Sequence, residues 1–460
     1  MDQPTMEAPD VDVFFLPYMV PGHYRPMVGI AKLFATRGAR ASVVAAATDP
    51  AALRPLLDWT DLSGRSVQFI LLPSSSSSMA DLGAVLREPL RRLLREQPPV
   101  CLVFDAFFPW AIDVAEEVGV PTFTFHGSSC FTSCCYKMLG LHPPPPQADP
   151  VVVPGLPHRV ELLRTQLADS TVPFIAAIFS KITESKSRSD GMLVNSFYEL
   201  EAEYFDTTPQ VQGKKSVWPI GPLSLLSDVA ATAARDAGED AGGSLRWLDG
   251  KKPGSVVYIC FGSMAQLSGA QLGEIGAALE TMECPFIWVL KSPPEGGLLE
   301  KVTAGGKESR GILITGWAPQ NLILGHAAVG AFMTHCGWNS CLEAVAAGVP
   351  MVTWPLMAEQ FFNEKLVTQV LGAGVGVGSR VWTMNEEERD LIGREDIRRA
   401  IARVIDGGEE AAALRRRAAE LASSARKAVA EGGSSYENVG CLIDQLRRGE
   451  WCKLAAAAGP

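Results

Sequence analysis

The stretch GAFMTHCGWNSCLEAVAAGVPMV, residues 330–352, places a histidine, a cysteine, an asparagine and a serine close together. These residue types could form a Cys–His nucleophile pair, a metal site or a cradle for an anion. A nucleophile pair fails on geometry, because His335 and Cys336 are adjacent at the end of a predicted strand and their side chains point to opposite faces. A metal site lacks partners, since the six histidines show no H-x-x-x-H spacing and the ten cysteines no C-x-x-C spacing.

An anion site fits the same residues. Gly337 allows a turn, and we expect a helix to begin at about Asn339 or Ser340, so that its unpaired N–H groups and positive end point at the ligand. The His335 ring and the Ser340 hydroxyl add donors. A purely structural alternative remains open, because Ser340 and Glu343 have the S-x-x-E spacing of a capping box that only starts a helix.

Alternating strands and helices would position these residues. Apolar runs such as VDVFFLPYM (11–19) and SVVYICFGS (255–263) are each followed by a helical stretch and another apolar run. This alternation predicts βαβ units, hence an α/β protein with parallel sheets covered by helices on both faces. Parallel sheets of this kind bind ligands at the carboxyl ends of their strands, so two facing domains predict a cleft.

The predicted domain organisation follows from where the alternation stops. Residues 224–244 are rich in Ala, Asp and Gly and have no apolar stripe, which predicts a linker. We therefore expect a Rossmann-like domain at 10–223 and a second at 245–430. The remaining segment, 431–460, contains a helical pattern that we expect to return to the first domain.

Composition narrows the class of protein. The chain has 460 residues, 47% of them hydrophobic and 20% charged, as expected for a globular protein of two domains. Its formal net charge of −10 argues against a nucleic-acid partner, because no basic excess is available to neutralise phosphates. No secretory signal or apolar stretch of about 18 residues is evident. We expect a cytoplasmic monomer without stable membrane insertion.

Residues 317–360, WAPQNLILGHAAVGAFMTHCGWNSCLEAVAAGVPMVTWPLMAEQ, resemble the signature box of the plant family 1 UDP-sugar-dependent glycosyltransferases. The likeness extends to NSFYELE at 195–201, IGP at 220–222 and FGS at 261–263. It implies the GT-B fold, in which two Rossmann-like domains with parallel sheets face a cleft, in agreement with the strand–helix alternation. It also favours the anion site over the capping box.

The resemblance assigns a donor-binding role to each matching position. It implies that Trp317 stacks on uracil, that the backbone of Ala318 pairs with the uracil edge, and that Gln320 and Glu343 hold the ribose hydroxyls. The other implied contacts are with the diphosphate, from Ser263, His335, Asn339 and Ser340, and with the sugar hydroxyls, from Trp338, Glu359 and Gln360.

The resemblance also implies a catalytic pair, His23 and Asp105. An acceptor hydroxyl that attacks the anomeric carbon must lose its proton, and a neutral histidine suits that task. His23 follows the first predicted strand, and Asp105 ends another strand of the same domain, where it would fix the tautomer of the ring and stabilise the imidazolium. Position alone leaves a merely buried or solvated His23 open. His126 is a competing base that we expect, with Ser128, to line the acceptor pocket.

The segment after the proposed base departs from the commonest sequence pattern of the family. In GHYRPM, residues 22–27, Tyr24 and Arg25 follow the base where smaller or apolar residues are frequent. Arg25 could favour acidic or phenolate acceptors, but we expect it to lie in the exposed first turn of a helix.

The implied function is that of an inverting glucosyltransferase. It would move glucose from UDP-glucose to a hydroxyl of a small lipophilic plant metabolite, such as a flavonoid, phenolic or triterpenoid, and give a β-O-glucoside. The UDP-sugar and the acceptor are the expected partners, and no metal is expected, because His335 and the helix N-terminus would stabilise the leaving diphosphate. The alternatives are C- or N-glycoside formation, a nucleotide-sugar-binding protein without turnover, and a Cys-dependent hydrolase.

Overall fold

The computed structural model describes residues 11–47, 67–73, 82–168, 173–212, 216–226, 238–292 and 310–449. The serine run at 74–78, most of the predicted linker and residues 450–460 lie outside the described residues. Within these ranges, no helix has the length and apolar character that crossing a bilayer requires.

A seven-stranded parallel sheet forms the centre of the first domain, with strand order β3-β2-β1-β4-β5-β8-β9. Its inner strands are nearly continuous apolar runs, because helices cover both faces of the sheet. A two-stranded antiparallel pair, β6 and β7, lies apart from it. The strands are β1 (Asp12–Leu16), β2 (Arg40–Ala47), β3 (Gln68–Pro73), β4 (Cys101–Asp105), β5 (Thr122–His126), β6 (Val151–Val152), β7 (Glu161–Leu162), β8 (Gly191–Val194) and β9 (Val217–Pro219).

A second parallel sheet of six strands has the order β12-β11-β10-β13-β14-β15. The strands are β10 (Val256–Cys260), β11 (Phe286–Leu290), β12 (Gly311–Thr315), β13 (Val329–Thr334), β14 (Met351–Thr353) and β15 (Gly374–Gly376). The alternation seen in the sequence thus corresponds to two doubly wound sheets.

Helices connect and cover these strands. The α-helices of the first domain are Pro21–Thr36, Leu82–Glu96, Ala111–Val118, Cys130–Leu141, Pro173–Arg188 and Tyr198–Gln212. Those that follow are Gly238–Asp249, Gly269–Thr281, Gln320–Leu324, Trp338–Ala347, Gln360–Lys365, Arg394–Ile405, Glu409–Val429 and Ser434–Arg448. Shorter 3₁₀ and π turns are Arg164–Gln166, Leu223–Leu225, Glu386–Glu388 and Leu366–Val370. Residues 238–244, placed in the linker by the sequence, belong to a helix.

The last helix, Ser434–Arg448, packs on the first domain rather than on the second. Val439, Leu442, Ile443 and Leu446 recur at helical spacing and are buried in the same cluster as β1 and β2. Its first turns are tied to the end of β9, since Asn438 Nδ2 donates to the carbonyl of Pro219 at 3.0 Å. The chain thus crosses from the first domain to the second and back.

Each sheet has one point at which its strand order changes direction, between β1 and β4 in the first domain and between β10 and β13 in the second. The loops leaving neighbouring strands diverge there, which opens a crevice at the carboxyl edge. The two crevices face one cleft of about 2470 Å³. A pocket for one small ligand measures roughly 300–1,000 Å³, so the cleft has room for two reactants.

Candidate active site

The crevice of the first sheet holds His23 and Asp105. His23 lies in the first turn of the helix Pro21–Thr36, whose first residue is a proline, as helix starts favour. Asp105 ends β4 and is fully buried. His23 Nδ1 lies 2.8 Å from Asp105 Oδ2, and the Phe107 amide donates to Oδ1 at 2.9 Å. With Nδ1–H donating to this carboxylate, Nε2 is left as the acceptor nitrogen.

Two opposing effects set the pKa of His23. Burial lowers it, whereas the charge of Asp105, its hydrogen bond and the charge of Glu359 raise it, so that the pKa lies above its usual value. Glu359 belongs to the second domain, so the two walls of the cleft approach each other at this histidine. The two carboxylates thus favour uptake of a proton by the ring.

His126 has the opposite character. Burial holds the pKa of His126 well below its usual value, and the charges of Lys186 and His23 act in the same direction. Its Nδ1 contacts the Ser128 hydroxyl. Both residues line the cleft, where a neutral imidazole already engaged by Ser128 is a weaker candidate for the base than His23.

Aromatic side chains surround His23, and these were not predicted. The Phe107 ring lies edge-on to the imidazole at 4.9 Å between centroids, and the Tyr18 ring at 5.6 Å. Phe107 is 41% exposed although it is a large apolar residue. These rings follow the ends of β4 and β1, which is the only signal in the sequence that could have placed them at the site.

His335 occupies the crevice of the second sheet, directly after β13. Its ring is held between two loops that approach it closely. A Cβ on Gly262, where φ is +72°, would lie 2.5 Å from His335 Cε1, and a Cβ on Gly337 would lie 2.5 Å from Nε2. Burial, with the charge of Lys291, lowers the pKa of His335 to about 4. The ring is therefore neutral, and within the described part of the chain its buried Nδ1 has no hydrogen-bond partner.

The helix Trp338–Ala347 begins one to two residues earlier than predicted, with Gly337 as its N-cap. Ser340 and Glu343 lie inside the helix, so the capping-box interpretation is wrong. Instead, Gln320 Nε2 donates to Ser340 Oγ at 3.2 Å and to Glu343 Oε2 at 2.5 Å. Tyr258, which was not predicted, donates to Gln320 Oε1 at 3.2 Å. The residues assigned to the ribose therefore lie together.

Burial raises the pKa of Glu343 to about 7, although the Gln320 hydrogen bond and the charge of Arg25 act against it. A carboxyl with this pKa is partly protonated at neutral pH. Hydroxyl groups that donate to it would favour the ionised form.

Trp338 and Asn339 connect the two domains. Trp338 Nε1 donates to the carbonyl of Asn195 at 2.8 Å, and Asn339 Nδ2 donates to the carbonyl of Gly22 at 2.7 Å. The indole N–H of Trp338 is thus engaged at the domain interface, a contact that was not predicted. A sugar contact of Trp338 and a diphosphate contact of Asn339 stay predictions. Asn339 Oδ1 has no hydrogen-bond partner among the residues that the structure describes.

Glu359 and Gln360 begin the helix Gln360–Lys365. Gln360 Oε1 accepts from the amides of Leu356 and Met357 at 2.9 and 3.1 Å, which fixes the side chain. Burial raises the pKa of Glu359, against the effect of its backbone hydrogen bonds and the charge of His23. Both residues line the cleft, as the predicted sugar contacts require.

Asn363, which was not predicted, connects the backbone next to His335 with the first domain. Asn363 is fully buried, and its Oδ1 accepts from the Thr132 hydroxyl of the first domain at 3.1 Å. Its Nδ2 donates to the Cys336 carbonyl at 2.9 Å. Cys336 (φ 64°) and Ala358 (φ 51°), next to His335 and Glu359, adopt the left-handed conformation that non-glycine residues rarely take. Such strain at a cleft is typical of functional loops.

Trp317 and Arg25 meet across the cleft, so Arg25, which lies near the start of a helix as predicted, is only partly exposed. The guanidinium carbon of Arg25 lies 3.7 Å from the centroid of the Trp317 ring. Trp317 follows β12 and is still 44% exposed, whereas Ala318 is buried and its carbonyl accepts from the Gln320 amide at 2.8 Å. Ser263 is exposed in the cleft wall after β10.

Known proteins resemble this chain over most of its length. The family model "UDP-glucoronosyl and UDP-glucosyl transferase" matches residues 84–409. A scopoletin glucosyltransferase of Nicotiana tabacum is 40% identical, covering 94% of this chain and 97% of its own. An anthocyanin 3'-O-beta-glucosyltransferase of Gentiana triflora is 39% identical, covering 94% and 98%.

Solved structures of plant glycosyltransferases have the same fold as this chain. The crystal structure of a Glycyrrhiza uralensis UGT complexed with glycyrrhetinic acid 3-O-monoglucuronide has a TM-score of 0.89 and 35% identity over 98% of both chains. A Medicago truncatula UGT complexed with UDP-glucose has a TM-score of 0.77 and 25% identity over 95% of this chain and 98% of its own. The predicted GT-B fold is confirmed. The chain belongs to the plant family 1 UDP-glycosyltransferases and is an enzyme of that class.

Proposed function

We propose that this enzyme transfers glucose from UDP-glucose to a hydroxyl group of a small lipophilic plant metabolite, with inversion at the anomeric carbon, and gives a β-O-glucoside. The observation that carries the proposal is the His23–Asp105 pair, whose Nδ1 and Oδ2 atoms lie 2.8 Å apart in the same cleft that Glu359 of the donor box lines. The names of the relatives, glucosyltransferases for scopoletin and anthocyanin, support a small aromatic acceptor.

In the proposed reaction, the acceptor hydroxyl lies against His23 Nε2. The hydroxyl oxygen attacks the anomeric carbon from the face opposite the diphosphate while its proton passes to Nε2. The bond from the anomeric carbon to the phosphate oxygen breaks, and its electron pair leaves with UDP. An α-linked donor therefore gives a β-linked product. Asp105 stabilises the imidazolium and keeps the ring oriented.

The leaving diphosphate needs stabilisation as its charge grows. The donors at this wall are the neutral His335 ring, the Ser263 hydroxyl and the first amides of the helix Trp338–Ala347. We propose that transfer needs no divalent metal, which undiminished turnover in the presence of EDTA would test.

Flavonoids, phenolics and triterpenoids are the proposed acceptor classes. The exposed ring of Phe107 and the ring of Tyr18 offer apolar surfaces beside the base. The size of the cleft leaves space for such an acceptor next to a bound UDP-sugar.

A mass-resolved product assay tests the proposal. The purified enzyme is incubated with UDP-glucose and a panel of flavonoids, simple phenols and triterpenoids, and the linkage of any product is determined by NMR. A product heavier by one hexose, lost in His23→Ala but retained in His326→Ala, is expected. His326 is a suitable control because it pairs with Asp249 at 3.2 Å on the surface. A C- or N-linked product, or an active His23→Ala variant, would overturn the corresponding part of the proposal.

A further inference from the structure

The carboxyl ends of four neighbouring strands form one row along the donor wall of the cleft. In the spatial order β12-β11-β10-β13, they lead to Trp317, Lys291, Ser263 and His335. These strand ends lie level with one another, because Leu290 pairs with Thr315, and Cys260 pairs with both Val289 and Thr334. Neighbouring strands lie about 4.8 Å apart. Lys291 therefore stands between the residue proposed for uracil and those proposed for the diphosphate.

Lys291 lines the cleft, and its charge reaches His335, since it lowers the pKa of that ring in addition to burial. Among the residues that the structure describes, no carboxylate lies within 4.0 Å of its ammonium group, and Glu386 acts on it only at longer range. Lys291 is exposed, and its surroundings exclude enough water to lower its pKa. Its ammonium group can therefore reach an anion in the cleft, and hydrogen bonds between two charged groups are stronger than those between neutral groups.

The other groups at this wall do not balance the charge of the donor. His335 is neutral, Ser263, Asn339 and Ser340 carry no charge, and Glu343 and Glu359 are acids. A UDP-sugar brings two negative charges to this wall, and UDP leaves with a further one. The protein as a whole, with a net charge of −10, repels such a ligand.

We propose that Lys291 is a further donor-binding residue, whose ammonium group neutralises the diphosphate of UDP and UDP-sugars from the end of β11. This inference rests on the proposed function. The signature box, residues 317–360, contains no lysine or arginine. Lys291, at a strand end outside the box, would supply the missing positive charge, and it would contact the diphosphate and not the nucleoside.

Calorimetric titration of the full-length enzyme with UDP and with uridine tests the inference, because uridine lacks the diphosphate. The variants are Lys291→Gln, Lys291→Arg and the control Lys252→Gln. Lys252 is exposed in the same domain, at the opposite ends of the strands. Thermal unfolding of each variant verifies that it is folded.

Lys291→Gln should weaken UDP binding by about tenfold or more, as expected for loss of a charge-assisted hydrogen bond, and change uridine binding by less than about twofold. Lys291→Arg should restore most of the UDP affinity, and Lys252→Gln should change neither ligand. Because screening acts on charge pairs, the UDP affinity of Lys291→Gln should also depend less on salt concentration than that of the wild type.

Equal UDP affinities of wild type and Lys291→Gln, or an equal loss for uridine and UDP, would overturn the inference while leaving the proposed function intact. Failure of the wild type to bind UDP would overturn the proposed function, and the inference with it.

Discussion

Replacing Arg25 with methionine should strengthen the binding of uridine. In the structure, the Arg25 guanidinium covers a face of the Trp317 ring at 3.7 Å from its centroid. A base stacked on that face needs the same space, since carbon atoms in contact also lie about 3.5–4.0 Å apart. If uracil stacks on Trp317 as proposed, the guanidinium must first leave, and the free energy of its contact is lost.

The size of the effect follows from the geometry. A cation over an indole face contributes about 0.5–1 kcal/mol at an exposed site and about 2 kcal/mol where it is desolvated. Arg25 and Trp317 are both partly exposed, so about 1 kcal/mol is a suitable value. Removing this contact should lower the dissociation constant of uridine by about fivefold.

Uridine is the appropriate ligand because it is uncharged, so the loss of a positive charge does not itself alter its attraction to the cleft. The titration is best made at about pH 8.5, because Arg25 also lowers the pKa of Glu343, and its removal would favour the protonated carboxyl near pH 7. Arg37→Met is the matched control. Its guanidinium stacks on Tyr436 at 3.4 Å, at the far end of the same helix and outside the residues that line the cleft.

A dissociation constant for uridine that is unchanged or higher in Arg25→Met, with Arg37→Met like the wild type, would refute this reasoning. It would mean that uracil uses another surface, or that Arg25 stacks on the base instead of competing with it.

Three further predictions concern the catalytic pair, the Glu343 carboxyl proposed to bind ribose, and the packing of Gly262 against His335. Asp105→Asn should lower kcat/KM by about 10² or more. The inflection in the pH profile of kcat/KM should also move to lower pH, because the variant lacks the carboxylate that raises the pKa of His23. Initial rates measured from acidic to alkaline pH give both quantities. Uridine affinity should fall as the pH drops below about 7, where Glu343 gains a proton, and Glu343→Gln should remove this dependence in the same titration. Gly262→Ala should weaken UDP binding about tenfold, because its methyl group would displace the His335 ring; calorimetry measures the loss.

Each of these has a clear contrary result. An inflection that stays in place in Asp105→Asn would show that the pH profile reports a group other than His23. A flat uridine affinity in the wild type would show that Glu343 does not meet the ribose as an ionised acceptor. The matched control is Gly254→Ala, because Gly254 also has a positive φ, of +67°, but its new methyl group meets open space, so this variant should bind UDP normally. If Gly262→Ala binds UDP as well as Gly254→Ala does, the argument from close packing is refuted.

The sequence predicted the features that depend on local pattern. Runs of apolar residues identified the parallel strands, and the position of His23 after one strand and Asp105 at the end of another placed both at one sheet edge. The contacts between domains could not be predicted, because they depend on how two separate sheets are oriented. The hydrogen bond from Trp338 to Asn195 joins residues 143 apart in the chain, and Thr132 and Asn363 are 231 apart. The contact between Arg25 and Trp317 was not predicted for the same reason, since Trp317 lies on the other wall.

The return of the helix Ser434–Arg448 to the first domain affects how this enzyme could be recombined with its relatives. A chimera that exchanges the acceptor half at one junction near residue 245 would keep a foreign terminal helix against the new sheet. Val439, Leu442, Ile443 and Leu446 would then meet a surface to which they are not fitted. To transfer acceptor specificity between relatives, two segments should therefore be exchanged together, the amino-terminal half and the helix Ser434–Arg448 that packs on it.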